Sequence, residues 1–180
     1  MAANINADTS GGLKLTSDTS GVLELKSAGT TKATINSSGL TSPGHVLQVI
    51  NGVKTGSFTT TSTSFVDTGL TASITPSATS SKIAVLVGCN AGHNAAAASM
   101  ALKLMRNTTD LNLWLCESGA YLGTTQFANE LGYHLNYLDS PATTSAVTYK
   151  IQIKAPSANT VYFSSGTYTT SSIMLMEVAA

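Results

Sequence analysis

The chain has 180 residues, of which 42% are hydrophobic and only 10% are charged, and its formal net charge is zero. A nucleic-acid-binding protein needs a basic face that displaces counterions from phosphates, so this charge balance argues against a nucleic-acid partner. No apolar run reaches the roughly 20 residues of a membrane helix, which argues against membrane insertion. The length allows one ordinary hydrophobic core and a small appendage.

The N-terminal part of the chain is a tandem repeat. Residues 8–17 are followed directly by residues 18–27, and seven of the ten positions are identical. A looser third unit covers residues 28–39. The first two units each combine an Asp-Thr-Ser-Gly turn, in which glycine is free to take a positive φ, with a short strand of alternating leucines. The Asp that opens each unit is expected to cap its own turn.

The leucines of this repeat need a partner. Their alternation places them on one face, and two leucines per ten residues cannot bury themselves within one thin chain. We therefore predict a stalk in which three chains wind about a common axis; the alternative is a meander that continues the sheet of the main domain. The predicted stalk core consists of Leu13, Leu15, Leu23, Leu25 and Ile35.

A cluster of structure-breaking residues follows the repeat. Residues 37–44 read Ser-Ser-Gly-Leu-Thr-Ser-Pro-Gly, which is typical of a linker. The sequence therefore predicts two domains, a β-repeat stalk that anchors the protein to a particle (residues 1–43) and a head domain (residues 44–180).

The first half of the head contains several strand signals. Residues 45–50, His-Val-Leu-Gln-Val-Ile, predict a strand that ends at Asn51-Gly52, a strong hairpin signal. Residues 57–67 read as one long strand with a register break, because Phe58 and Phe65 have opposite parity. Residues 69–74 alternate and stop before Pro76, whereas residues 83–87 are continuously apolar and predict a strand covered on both faces.

Further β-prone runs follow to the end of the chain, with turn residues between them and no convincing helix. They cover residues 99–106, 111–115, 133–138, 147–153, 160–163 and 172–178. Roughly eight to ten short strands in this pattern predict an all-β fold, a jelly-roll-like β-sandwich preceded by the short β-repeat stalk.

Several of these segments resemble a known family. Residues 57–70, 137–149 and 171–177 look like a C-terminal domain of structural proteins of tailed phages, marine ones especially. The repeat, with residues 32–39, is similar to the segment that often precedes that domain in tail-fibre-like proteins. The resemblance implies a homotrimeric appendage at the virion surface, made in the host cytoplasm and bound to other virion proteins of the capsid or tail. Its motifs are structural and transfer no catalytic residue.

The residues themselves carry no strong chemical motif. No two of His45, His93 and His134 share a metal-binding spacing, and neither a Gly-x-Ser-x-Gly elbow nor a phosphate-binding glycine loop occurs. Cys89 and Cys116 are too few for a disulfide framework, and we expect both thiols to be reduced. We therefore predict a non-enzyme without metal or cofactor.

One stretch, residues 107–127, combines the single tryptophan with hydrogen-bonding groups. An aromatic ring beside such groups is how many proteins bind a sugar face, although a Trp that packs in the core or between subunits is the interpretation we prefer. The candidate ligand contacts are Asp110, Asn112, Trp114 and Tyr121. The sequence thus leaves three functions open: a capsid decoration or short fibre, a tail-fibre adhesin for a host surface glycan, and an unrelated sugar-binding or depolymerising domain.

Overall fold

The computed structural model describes residues 20–37, 39–93, 99–118, 131–157, 159–165 and 170–180, except for the side chains of residues 116–118. The chain divides into two compact units between His45 and Val46, with Ala179 grouped with the first. The strands are β1 (Leu23–Ser27), β2 (Thr30–Asn36), β3 (Gly39–Thr41), β4 (Val46–Thr55), β5 (Phe58–Thr60), β6 (Val66–Ile74), β7 (Lys82–His93), β8 (Met100–Arg106), β9 (Thr109–Ser118), β10 (Leu131–Asp139), β11 (Val147–Lys154), β12 (Val161–Phe163) and β13 (Thr170–Val178).

The first unit contains a three-stranded antiparallel sheet in the order β1-β2-β3. Strands β1 and β2 are joined by a two-residue turn in which Ala28 and Gly29 have φ values of 49° and 78°. Positive φ at both positions is the type I′ geometry, whose twist matches that of the flanking strands. Gly21, in the repeat turn before β1, has φ 69°, as the sequence predicts for a glycine at that position.

The second unit is a sandwich of two antiparallel sheets. One has the order β4-β13-β7-β12-β5, with β10 also paired to β7, and the other has the order β6-β11-β8-β9. Side chains from the inner faces of both sheets form one hydrophobic core. The prediction of an all-β sandwich is confirmed. No helix long and apolar enough to span a membrane is found in the part of the chain that the structure describes.

The strand at the centre of the six-stranded sheet differs from the sequence prediction in one respect. The side chains of Ile83, Val85 and Val87 are buried, but those of Ala84 and Leu86, which point to the opposite face, are only half-buried. The continuous apolar run predicted a strand covered on both faces. The described residues cover only the inner face.

The predicted hairpin at Asn51-Gly52 is wrong, because β4 continues through these residues to Thr55. A Cβ added to Gly52 would overlap the carbonyl oxygen of Thr71 and lie 3.0 Å from Ile173 Cγ2. The glycine therefore lets the backbone of β4 pass close to β6, the close-approach role of a strand glycine rather than its role in a turn.

Gly52→Ala is expected to lower the free energy of unfolding by about 1–3 kcal/mol, because a methyl group there must displace backbone of the facing strand. Chemical denaturation of both proteins measures the loss. Gly88→Ala is the matched control, since a Cβ at Gly88 would have its nearest atom, in the His134 ring, 3.5 Å away. Equal stabilities of the two variants would show that the approach of β4 to β6 is not tight.

Residues 57–67 form two strands in different sheets instead of one long strand. Strand β5 pairs with β12, whereas β6 pairs with β11. Between them Ser62 Oγ donates to the Ser64 carbonyl and accepts from the Ser64 N–H, which stabilises a turn. The opposite parity of Phe58 and Phe65 follows, because the chain crosses from one sheet to the other between them.

The inner face of the six-stranded sheet ends in a row that contains three polar side chains. The register places Gln48, Glu177, Ile83 and Asp139 side by side on β4, β13, β7 and β10. Glu177 is fully buried and accepts hydrogen bonds from Gln48 Nε2 (2.6 Å) and from the Ser77 N–H and hydroxyl (2.7 and 2.6 Å). This carboxylate fixes the turn between β6 and β7.

Burial by itself raises the pKa of Glu177, but hydrogen bonds from Gln48, Ser77 and Ser81 outweigh it and hold the pKa below its ordinary value of 4.5. A lowered folded-state pKa stabilises the fold at pH values above 4.5, and this contribution is lost as the pH falls through the folded-state pKa. We therefore expect the difference in free energy of unfolding between the native chain and Glu177→Gln to shrink when denaturation is repeated below that pH. A difference that stays constant down to pH 3 would contradict this assignment.

Asp139, at the end of the same row, forms a second hydrogen-bond network. Arg106 Nη1 donates to both of its carboxylate oxygens, at 3.0 and 2.8 Å, and the Tyr149 hydroxyl donates to Oδ2 at 2.6 Å. Burial, followed by this hydrogen bond, raises the pKa of Tyr149 well above its usual range, so the phenol stays protonated and donates. The network ties β10 of one sheet to β8 and β11 of the other.

Candidate functional site

The outer face of the four-stranded sheet presents Trp114. The pairing of β8 with β9 shifts register twice, between Leu102 and Lys103 and between Leu104 and Met105. Asn112 lies in one of these bulges with φ 54°, a conformation that Asn adopts more easily than most residues. Since bulges redirect side chains, β9 turns Trp114 to the side of the sheet that bears Lys103, its partner in the ladder.

Around Trp114 lies an aromatic–lysine cluster formed by Phe65, Lys103, Asp110, Trp114 and Lys154. The two rings meet edge to face, with centroids 5.4 Å apart and planes at 77°. Lys103 Nζ lies 4.2 Å from the Phe65 centroid, and Lys154 Nζ lies 4.8 Å from Phe65 and 5.3 Å from Trp114. These distances are within the range of cation–π attraction.

Lys103 is buried, and its ammonium group pairs with Asp110 Oδ2 at 2.6 Å. The hydrogen bond from Lys103, followed by that from the Asn112 N–H, holds the pKa of Asp110 below its usual value. The Asn112 N–H donates to Oδ1 of the same carboxylate at 2.8 Å. The carboxylate thus stabilises both the buried cation and the bulge.

This geometry limits what the cluster can do chemically. The Asp110 carboxylate is engaged by Lys103 and by the Asn112 backbone, so it is not placed as a free acid or base. Trp114 is 38% exposed, which leaves part of its ring open to a flat apolar ligand surface such as a sugar face. The cluster is therefore suited to binding by stacking rather than to proton transfer.

The structure brings together two of the four predicted ligand contacts, Asp110 and Trp114. Asn112 contributes its backbone N–H, and Tyr121 lies outside the described residues. Sequence reasoning missed Phe65, Lys103 and Lys154. The parity of Phe65 was a usable signal, because a phenylalanine that points away from the core needs another partner.

A second candidate site is the apolar face of the N-terminal sheet. The register aligns Leu23 with Ile35, and Ile35 with Leu40, while Leu25 faces Ala33 two positions along the same side. Leu25, Ile35 and Leu40 are 46%, 42% and 50% exposed. The other two predicted stalk residues, Leu13 and Leu15, lie outside the described residues.

The described residues contain no group of three or more His, Cys, Asp and Glu side chains that could hold a metal ion. Cys89 is buried on the core side of β7, and the side chain of Cys116 lies outside the described part.

No family model matches the sequence, and no curated protein matches it. Solved structures with some likeness include the insecticidal delta-endotoxin Cry8Ea1 of Bacillus thuringiensis, with 16% identity, a TM-score of 0.38 and coverage of 68% of this chain and 19% of that chain. They also include the infectious bursal disease virus VP2 subviral particle, with 10% identity, a TM-score of 0.39 and coverage of 86% and 40%. A structure of the Gt strain of that virus has 9% identity, a TM-score of 0.39 and coverage of 86% and 42%. This chain spans less than half the length of each, and a likeness at this level assigns no function.

Proposed function

We propose that this chain is a non-enzymatic structural protein of a tailed-phage virion, a homotrimeric surface appendage that decorates the capsid or forms a short fibre. The proposal rests on the N-terminal repeat, on the resemblance of the head segments to phage structural proteins, and on one structural observation. That observation is the open apolar face of the β1-β2-β3 sheet, on which Leu25, Ile35 and Leu40 are 46%, 42% and 50% exposed.

The open face has the form that a shared stalk core requires. Its cross-strand row of Leu23, Ile35 and Leu40 places apolar groups side by side, and Leu25 extends it along β1. Apolar surface outside a core costs free energy, at about 25 cal/mol per Å², which association of chains recovers. Three such faces turned toward one axis cover one another.

In this arrangement the repeat segment anchors the protein to the particle and the sandwich points outward. The proposal places the small, self-similar part of the chain against other virion proteins. Loops, which carry most contacts made by β-sandwich proteins, then lie at the exposed end.

Sedimentation equilibrium of the purified chain at micromolar concentration is expected to give about three times the 18.4 kDa chain mass, in line with closed cyclic symmetry. Immunogold labelling of intact particles is expected to place the protein on the particle surface. A monomer at this concentration would contradict the shared stalk, and particles without label would contradict the virion assignment.

A tail-fibre adhesin that recognises a host surface glycan is the second candidate, and the half-exposed ring of Trp114 is the observation that favours it. Binding on a glycan array that Trp114→Ala abolishes would select this function over a purely structural role. Cleavage of a bound polymer would instead favour a depolymerising domain.

A further inference from the structure

The outer faces of the two sheets of the sandwich differ sharply in charge. On the four-stranded sheet, Lys103 pairs with Asp110 and Lys150 pairs with Asp67. On the six-stranded sheet, three consecutive cross-strand rows of β4, β13, β7 and β10 contain no Asp, Glu, Lys or Arg. We call these three rows the uncharged face. They extend from the row of Val49 and Leu138 to the row of Val53 and His134.

The first row of the uncharged face is entirely apolar. Val49 lies opposite Met176, Met176 opposite Ala84, and Ala84 opposite Leu138. Val49 and Leu138 are 53% and 58% exposed, and Met174 in the next row is also exposed. Between β7 and β10 a shallow open depression is lined by Ala84, Leu86, Asn136 and Leu138, among others.

The size of the face indicates what kind of contact it makes. Four strands about 4.8 Å apart and three same-side positions about 6.8 Å apart span roughly 20 Å by 20 Å, or about 400 Å². The apolar part of this face consists of the first row with Met174, Leu86 and Val53, whereas the other two rows also contain the polar residues Asn51, Asn136, Ser172 and His134. An exposed apolar patch rimmed by polar residues often marks an interaction site. A stable interface buries about 800 Å² per partner, which is about twice the area of this face, so an interface here would also include residues around it.

We propose that the uncharged face binds other copies of this chain and lies toward the axis that they share. The occupant follows from charge: a face without charged groups matches a second such face without repulsion, whereas a charged partner would lose solvation there without gaining a counter-ion. The apolar run of β7 supports this proposal, because its outward-facing residues, Ala84 and Leu86, are of a type that is normally buried.

This inference deepens the proposed function and rests on it only for the identity of the occupant. Its own residues all lie in the sandwich. Chains held together by the stalk have a high effective concentration, so even a weak contact between heads forms.

Methionine oxidation tests the proposal on the full-length purified chain. Hydrogen peroxide oxidises Met according to its exposure, so Met174 should react at least about fivefold more slowly in the native protein than in Leu138→Lys, which places a charge in the apolar row. Buried Met100 and Met105 serve as internal references. Ser73→Lys, on the outer face of the other sheet, is the matched control and should leave Met174 protected.

Equal oxidation rates of Met174 in the native chain and in Leu138→Lys would overturn the proposal. Protection that appears only on intact particles would also overturn it, because the occupant would then be another virion protein. A trimeric mass with rapidly oxidised Met174 would leave the proposed stalk standing and refute this inference alone. If Met174 in a Leu23→Ser, Leu25→Ser chain oxidises more slowly as the protein concentration rises, this would support binding between uncharged faces independently of the stalk.

Discussion

Replacing both Leu23 and Leu25 by Ser is expected to convert the trimer to monomers at micromolar concentration. Full burial of a leucine is worth about 1.5–3 kcal/mol, and roughly half of this remains available at Leu25, which a single chain leaves 46% exposed. The loss is repeated in all three chains, so it amounts to several kcal/mol for the assembly. The measurement is sedimentation equilibrium, combined with circular dichroism to show that the sandwich stays folded.

The same strand offers a matched control on its opposite side. Glu24 and Lys26 form an exposed ion pair at 2.7 Å, and such pairs contribute little to stability. A chain with Glu24→Ser and Lys26→Ser should therefore keep the trimeric mass. If the leucine variant also keeps it, the apolar face of the N-terminal sheet does not hold the chains together.

Asp139→Ala is expected to lower the free energy of unfolding by about 3 kcal/mol, the lower end of the range for breaking a buried ion pair. The side chain of Asp139 is 5% exposed and that of Arg106 25% exposed, so water solvates the orphaned guanidinium only in part. The Tyr149 hydroxyl also loses its acceptor, which adds to the loss. Urea denaturation monitored by circular dichroism measures the effect.

Asp67→Ala is the matched control for this prediction. Asp67 also pairs with a cation, Lys150 at 2.8 Å, but its side chain is 51% exposed. Removing an exposed pair costs about 0.2–1 kcal/mol. If Asp139→Ala costs no more than Asp67→Ala, the Asp139 network does not join the two sheets energetically.

The sequence correctly predicted strands whose own residue pattern indicates a strand. The alternation of Leu70, Ala72 and Ile74 predicted a half-buried strand, and all three are buried. The repeat predicted the short strands that carry Leu23, Leu25 and Ile35, because its period is local. These patterns depend on neighbours along the chain, which is why they can be read without the fold.

Contacts between distant strands were decided only by the tertiary structure. Gly52 follows Asn51 as in a hairpin turn, yet a glycine is needed there because a side chain would overlap the Thr71 carbonyl of another strand. Asp139 precedes a run of turn residues, and only the packing of the two sheets places it against Arg106 and Tyr149. The aromatic–lysine cluster likewise joins Phe65, Lys103 and Trp114 from three separate segments.

The uncharged face shows the same division. The apolar run around Ala84 and Leu86 predicted cover on both sides of its strand, which is a local inference from hydrophobicity. That the described residues cover only the inner side depends on register, because only the pairing of β7 with β13 and β10 sets Met176 and Leu138 beside Ala84. Side-chain composition thus determined which strand needs a partner, and strand pairing decided which residues that partner would touch.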